Sequence, residues 1–158
     1  DITFVSENES YNNYDLDKFD FCLSFGYKKI FSSNYLKKYK NRIVNLHISY
    51  LPFNKGAYPN YYSFVYGGPT GVTIHEINNK IDEGDIILRK YIYFEYNKSL
   101  TYINTYNKLI KEIQKLFIHN FDYITSRNYA KFKQRGRGSY YKKFATSEKF
   151  WSRHIFTK

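Results

Sequence analysis

The sequence predicts an α/β domain, and three observations carry that expectation. Short apolar runs of strand length alternate with helix-compatible stretches as far as residue 95. From Ser99 the apolar period changes to that of a helix. The 158 residues, 42% hydrophobic and 25% charged, suit one folded domain with one core.

Taken in order, Ile2 to Ser6 reads as a short strand followed by an Asn-rich loop. Phe19 to Phe25 reads as a second strand closed by Gly26, and Ser33 as the N-cap of a short helix through Tyr39. Ile43 to Ser49 is a β-branched, partly alternating third strand. Leu51 to Pro59 reads as a loop, because Pro52, Pro59 and Gly56 oppose regular structure. Tyr61 to Tyr66 is helix-compatible and is broken by Gly67-Gly68-Pro69. Gly71 to Ile77 and Ile86 to Phe94 are strands around a loop at Asp82 to Asp85. Leu100, Ile103, Leu109, Ile110, Ile113, Leu116, Phe117, Phe121 and Ile124 then mark one amphipathic packing helix of about 25 residues. The expected organisation is a core over 1–95, that helix over 96–126, and a basic aromatic tail over 127–158. No internal repeat is visible.

Composition narrows the class. Cys22 is the single cysteine, which excludes a disulfide framework and favours a reducing, cytoplasmic compartment. No apolar run approaches the roughly 20 residues of a membrane-spanning helix, so no membrane partner is expected. No basic-then-apolar signal peptide opens the chain. The absence of Met, even at position 1, implies that residues precede Asp1. The 19 Tyr and 14 Phe read largely as compositional bias, since a Tyr ring can coat a surface while its hydroxyl stays wet. Net charge is +11 and lopsided: residues 1–85 hold 9 Lys/Arg against 10 Asp/Glu, and residues 86–158 hold 16 against 4. The basic half reads either as a phosphate-attracting surface or as solvated lysines.

The chemistry concentrates between Asn45 and Asp85. Asn45, His47 and Ser49 alternate along one strand and therefore share a face. Such a polar row is either solvent-facing or a site. Pro52, Gly56 and Pro59 stiffen the loop directly after it. Asp82 is either a turn-former or a partner that orients a histidine ring and stabilises its charged form. His75 reads equally as a structural or a site histidine. His119 and His154 have no partner in the sequence. No His/Cys/Asp spacing matches a metal-ligand set, so no metal is expected.

Asn45-Leu-His-Ile-Ser-Tyr-Leu-Pro-Phe-Asn-Lys-Gly-Ala-Tyr-Pro59 resembles the signature of folate-dependent formyltransferases. Gly71-Val-Thr-Ile-His75, followed by Ile81-Asp-Glu-Gly-Asp-Ile-Ile87, resembles that family's second signature. Gly26 to Phe31 is similar to its pterin-side segment. Pro59-Asn60, Ser63-Phe64 and the tail Gly136-Arg-Gly-Ser-Tyr140 resemble the sugar N-formyltransferase branch, with Tyr141 where that branch carries a histidine.

The resemblance implies a Rossmann-like, mostly parallel sheet that lacks the family's first strands. It implies transfer of a formyl group from 10-formyltetrahydrofolate, the co-substrate, to the amine of a nucleotide-linked 4-amino-4,6-dideoxyhexose. The implied catalytic residues are Asn45, His47 and Asp82. Folate would be held by backbone around Lys28, Lys29 and Phe31 and by the loop to Asp82. Ser49 would support the loop or contact substrate. Asn60, Arg135 and Arg137 are the other substrate-binding candidates, the arginines because their forked donors suit pyrophosphate oxygens. Relatives of this kind are often dimers, and the oligomeric state stays open. Two alternatives remain at this point. One is a methionyl-tRNA formyltransferase-like enzyme, although a nucleic acid partner is not expected because the chain has no room for that branch's C-terminal domain. The other is a non-catalytic binding protein on a truncated formyltransferase scaffold.

Overall fold

A computed structural model describes residues 3–95 and 100–143. A four-stranded sheet runs in the order β1 (Cys22–Phe25), β2 (Ile43–His47), β4 (Gly71–Glu76), β5 (Ile86–Tyr91). Between β1 and β2 lies α1 (Ser33–Lys38). Between β2 and β4 lie β3 (Lys55–Gly56) and α2 (Pro59–Val65). After β5 come α3 (Tyr102–His119), α4 (Phe121–Thr125) and β6 (Tyr140–Tyr141). No helix among the described residues is long and apolar enough to cross a membrane.

The α/β class is the expected one, and its sheet is mixed. β1 and β2 are parallel because α1 makes the crossover, whereas β2–β4 and β4–β5 are antiparallel. No helix at all intervenes between β4 and β5.

Alternation along these strands separates two faces. Val44 and Leu46 of β2 and Val72 and Ile74 of β4 pack against Leu109 and Ile113 of α3 and Ile124 of α4. Each fully buried Leu or Ile contributes about 1.5–3 kcal/mol by leaving water. On the opposite face Ile43 packs with Leu16, Leu36 and Tyr39 around α1. The remaining alternate positions there are polar: Asn45 lies opposite His75, and His47 opposite Thr73. A register irregularity falls between Ile74 and His75, the kind of local kink that re-aims a side chain beside a site.

Several boundaries depart from the sequence reading. Thr3 to Ser6 form no strand, with Phe4 84% exposed and no ladder neighbour; Ile2 lies outside the described residues. The second strand begins only at Cys22, and the third ends at His47. Ser32, not Ser33, caps α1 by accepting from the Tyr35 N–H at 3.3 Å. The loop over 51–59 contains β3, which pairs in parallel with β6 in the tail. Gly56 permits this at φ +87°, since an added Cβ would stand 2.3 Å from the Tyr141 carbonyl oxygen. β5 ends at Tyr91, although Ile92 and Phe94 still enter the core.

The expected single long helix is two helices. Asn120 leaves helical geometry at φ −118°, ψ 22°, and its Nδ2 donates back to the Leu116 carbonyl at 2.8 Å. Ile124 packs into the same core beyond the break, which is why the helical period runs through it. Residues 144–158 of the expected tail lie outside the described residues.

Candidate active site

β2 delivers Asn45 and His47 side by side on one face, and β4 extends that polar row sideways with Thr73 and His75. Asp82, in the loop after β4, adopts φ +53°, a left-handed conformation that Asp tolerates better than most residues. Its Oδ2 accepts from the Gly56 N–H at 2.8 Å. Its Oδ1 stands 3.7 Å from His47 Nδ1 and 3.6 Å from His75 Nε2. One carboxylate oxygen thus faces two imidazoles, while β3 anchors the other.

Hydrogen-bond partners fix the ring protons. His47 Nε2 donates to the Asn54 carbonyl at 3.3 Å, which leaves Nδ1 as the atom turned toward Asp82. His75 Nδ1 donates to the Glu76 carbonyl at 2.8 Å. His75 Nε2 then accepts from Asn45 Nδ2 at 3.2 Å in the neutral ring. This orients the Asn45 amide and leaves its second N–H without a claim from His75.

Burial pushes His47 below its ordinary imidazole value of 6.5; the Asp82 charge pulls it back up, and His75 pushes it down. Burial acts to raise the Asp82 carboxyl. The His47 charge, the His75 charge and the Gly56 N–H outweigh burial and hold it well below the ordinary 3.8. The two directions are compatible, because Asp82 titrates in acid, where imidazoles are charged. Near neutral pH the site therefore holds a neutral His47 beside an ionised Asp82.

The loop behind this row is built by buried polar groups. Ser49 Oγ donates to the Phe53 carbonyl at 2.8 Å. Thr73 Oγ1 donates to the Ser49 carbonyl at 2.7 Å and accepts from the Leu51 N–H at 3.1 Å. Asn54 Nδ2 donates to Ser63 Oγ at 2.9 Å, and the Asn54 N–H donates to Ser139 Oγ at 2.8 Å.

A cleft of about 1150 Å3 opens over the row. It is walled by residues 24–31, by the loop 77–82, and by Tyr140 to Lys143 of the tail. That size, with apolar walls such as Phe25, Ile30 and Leu46 beside a few convergent polar groups, has the character of a small-molecule site.

The structure brings Asn45, His47 and Asp82 together as the sequence suggests, and it adds His75, which the sequence left undecided. Lys28, Lys29 and Phe31 line the cleft. Lys28 pairs with Glu7 and Lys29 donates to the Asn8 and Glu9 carbonyls, so both ammonium groups are engaged by the N-terminal loop. Ser49 is fully buried, which fits loop support and not substrate contact. Asn60 is also fully buried, donating to Thr105 Oγ1 at 3.0 Å and the Tyr102 carbonyl at 3.2 Å; it ties α2 to α3 and cannot reach a ligand in the cleft. Arg135 and Arg137 are exposed and do not line the cleft, where Lys142 and Lys143 stand instead. Parallel pairing of β6 with β3 turns the residues after Ser139 inward and leaves both arginines outside. Alternation of Thr73 and His75 with Val72 and Ile74 was the available signal for His75. Asn54 carried no comparable signal.

Comparison with known proteins gives a consistent result. A family model described as formyl transferase matches residues 4–119. The dTDP-4-amino-4,6-dideoxyglucose formyltransferase of Mycobacterium tuberculosis is 32% identical over 114 residues, covering 72% of this chain. The chain spans about half, 47%, of that relative. A formyltetrahydrofolate deformylase of Haemophilus influenzae is 34% identical over 74 residues, 46% of this chain and 27% of its own. The formyltransferase PseJ from Anoxybacillus kamchatkensis, solved with UDP-4,6-dideoxy-4-formamido-L-AltNAc and tetrahydrofolate, superposes with a TM-score of 0.79 at 37% identity. It covers 87% of this chain and 72% of its own.

Proposed function

Because the chain belongs to the formyl transferase family, we propose that it transfers a formyl group from 10-formyltetrahydrofolate to the amine of a nucleotide-linked amino sugar. The observation that carries this reading is the row Asn45, His47, His75 and Asp82, its histidines buried, opening into one cleft large enough for donor and acceptor. Two of the similar proteins act on or bind a dTDP-linked 4-amino-4,6-dideoxy sugar or a UDP-linked formamido product, and one of these holds tetrahydrofolate.

The donor fits the wall formed by residues 24–31 and 77–82, which offers apolar side chains beside exposed loop backbone. Asn45 gives its second amide N–H to the formyl oxygen as negative charge develops there. His75, through Asn45 Nδ2, holds that donor in place. His47, neutral and with Nδ1 turned inward, takes the proton from the attacking nitrogen. Asp82 stabilises the resulting imidazolium from 3.7 Å. The new C–N bond forms as the bond to the folate nitrogen breaks, and His47 returns the proton to that nitrogen. Tyr140, Tyr141, Lys142 and Lys143 line the acceptor side, where aromatic faces and ammonium groups suit a base and a diphosphate.

The test is incubation of the full-length protein with 10-formyltetrahydrofolate and a panel of UDP- and dTDP-linked amino sugars, read by mass spectrometry. Gain of one formyl group on a sugar amine is the expected outcome. Formate release without an acceptor would instead mark a deformylase, and formylation of methionyl-tRNA would mark the tRNA branch.

A further inference from the structure

We propose that Gln134 is a positioning residue for Asp82: its side-chain amide spans the backbone carbonyls of Asp82 and Gly84 and so sets where the carboxylate stands between the two histidines. The proposal rests on the formyl-transfer reading of the site.

Gln134 Nε2 donates to the Asp82 carbonyl at 2.8 Å and to the Gly84 carbonyl at 2.9 Å. A primary amide nitrogen carries two hydrogens, and both are used. The amide oxygen is buried and has no hydrogen-bond partner among the described residues. Gln134 therefore works at this turn purely as a donor fork. A buried acceptor left unmatched is unfavourable, so the two donated bonds are what this side chain contributes here.

The turn it grips has little other freedom. Gly84 lies against the end of β4, where an added Cβ would stand 1.6 Å from the Glu76 carbonyl oxygen. The Gly56 N–H holds the Asp82 carboxylate from the front, and Gln134 holds its backbone from behind. Gln134 is itself well based. Phe132 exchanges N–H···O bonds with Ile86 at 2.9 and 3.0 Å. Lys131 Nζ donates to both oxygens of the buried Glu76, and the Tyr129 hydroxyl donates to one of them.

Position matters because of the spacing. Separations of 3.6 and 3.7 Å lie just beyond a direct hydrogen bond. A displacement of a few tenths of an ångström at Asp82 therefore changes how strongly it acts on His47. The groups facing Asp82 are His47 from β2, His75 from β4 and the Gly56 N–H from β3, with the Lys55–Glu83 ion pair alongside.

The experiment compares the full chain with Gln134→Met, which keeps the volume and loses the donors, and Gln134→Lys, which restores donors on a longer stem. It reads kcat and KM for formyl transfer, and His47 ring titration by NMR without substrates. Gln134→Met is expected to lose about 10-fold in kcat, with both KM values within about threefold. Its His47 should titrate lower, because the Asp82 charge that raises it has moved away. Gln134→Lys should recover most of the kcat; its own ammonium lowers His47, so the titration is compared only for Gln134→Met. A folded Gln134→Met with wild-type kcat and wild-type His47 titration overturns the proposal. So does an equal loss of kcat in both variants with lowered melting temperature and His47 unmoved in Gln134→Met. If Gln134→Met does not fold, Gln134→Lys decides: near wild-type kcat supports the fork, and loss of kcat overturns it. If the wild-type chain formylates no acceptor, the formyl-transfer reading fails by itself, and the titration comparison still decides whether Gln134 places Asp82.

Discussion

The two faces of β2 and β4 make the sharpest contrast in the molecule. Val44, Leu46, Val72 and Ile74 meet α3 and α4 in a dry apolar core. Asn45, His47, Thr73 and His75, one position along in each case, turn to the opposite face and its hydrogen bonds. His47, Thr73 and His75 are as buried as the apolar face and Asn45 is half-buried, so burial alone does not distinguish the two. What differs is how each burial is compensated. The apolar face gains from leaving water, whereas the polar face must satisfy every donor and acceptor, leaving one Asn45 N–H and one imidazole nitrogen for chemistry. A single backbone geometry thus sustains a dry core on one side and a hydrogen-bonded polar row on the other.

Substitutions can break that contrast, and the largest effect belongs to the polar face. Asn45→Ala, His47→Ala and Asp82→Ala should each lower formyl transfer by about 100-fold or more, while circular dichroism and melting stay near wild type. Severe unfolding of all three would erase the distinction between the faces. Ile74→Ala, fully buried on the apolar side, should cost about 2–5 kcal/mol in denaturant unfolding, with kcat of the folded fraction kept.

Asp82→Asn sharpens the electrostatics. His47 must be neutral to accept a proton, and burial holds its value below 6.5. The rate should therefore be flat near neutral pH and fall as acid protonates the ring. Removing the Asp82 charge, which raises His47, should move that acid limb to still lower pH in the residual activity; an upward move would contradict the assignment. Stability runs in the same direction. Below 6.5 the unfolded histidine binds a proton that the folded one resists, so His47 makes the fold less stable as pH falls.

Smaller effects belong to the rim. Lys142→Ala with Lys143→Ala should raise KM for the sugar nucleotide by about threefold to 10-fold with kcat kept, in an initial-rate assay. Arg135→Ala, outside the cleft, should leave both constants unchanged.

Much of this candidate site is legible in the sequence. Asn45 and His47 alternate on a strand, and the stretch from Asn45 to Asp82 resembles a known family signature, so a candidate trio could be named. Local signals also found α2 but started it late, at Tyr61, because Pro59 read as loop although it occupies the first helical position. Long-range pairing was not legible. The tail strand β6 lies more than eighty residues from β3, and no periodicity links Tyr140 to Lys55. Asn60 looked like a substrate ligand because its sequence neighbourhood resembles a substrate-binding segment; only packing against Thr105 shows it as a tie between helices.

By itself, then, the sequence determined the α/β class and the faces of the strands, because strand period is a local property, and its resemblance to a family signature pointed to Asn45, His47 and Asp82. Only the tertiary structure decided the antiparallel course of β4, the entry of His75 beside Asn45, the exclusion of Arg135 and Arg137 from the cleft, and the grip of Gln134 on Asp82. Each of those depends on which segment comes to lie against which, a choice set by burial and hydrogen-bond satisfaction across the whole chain.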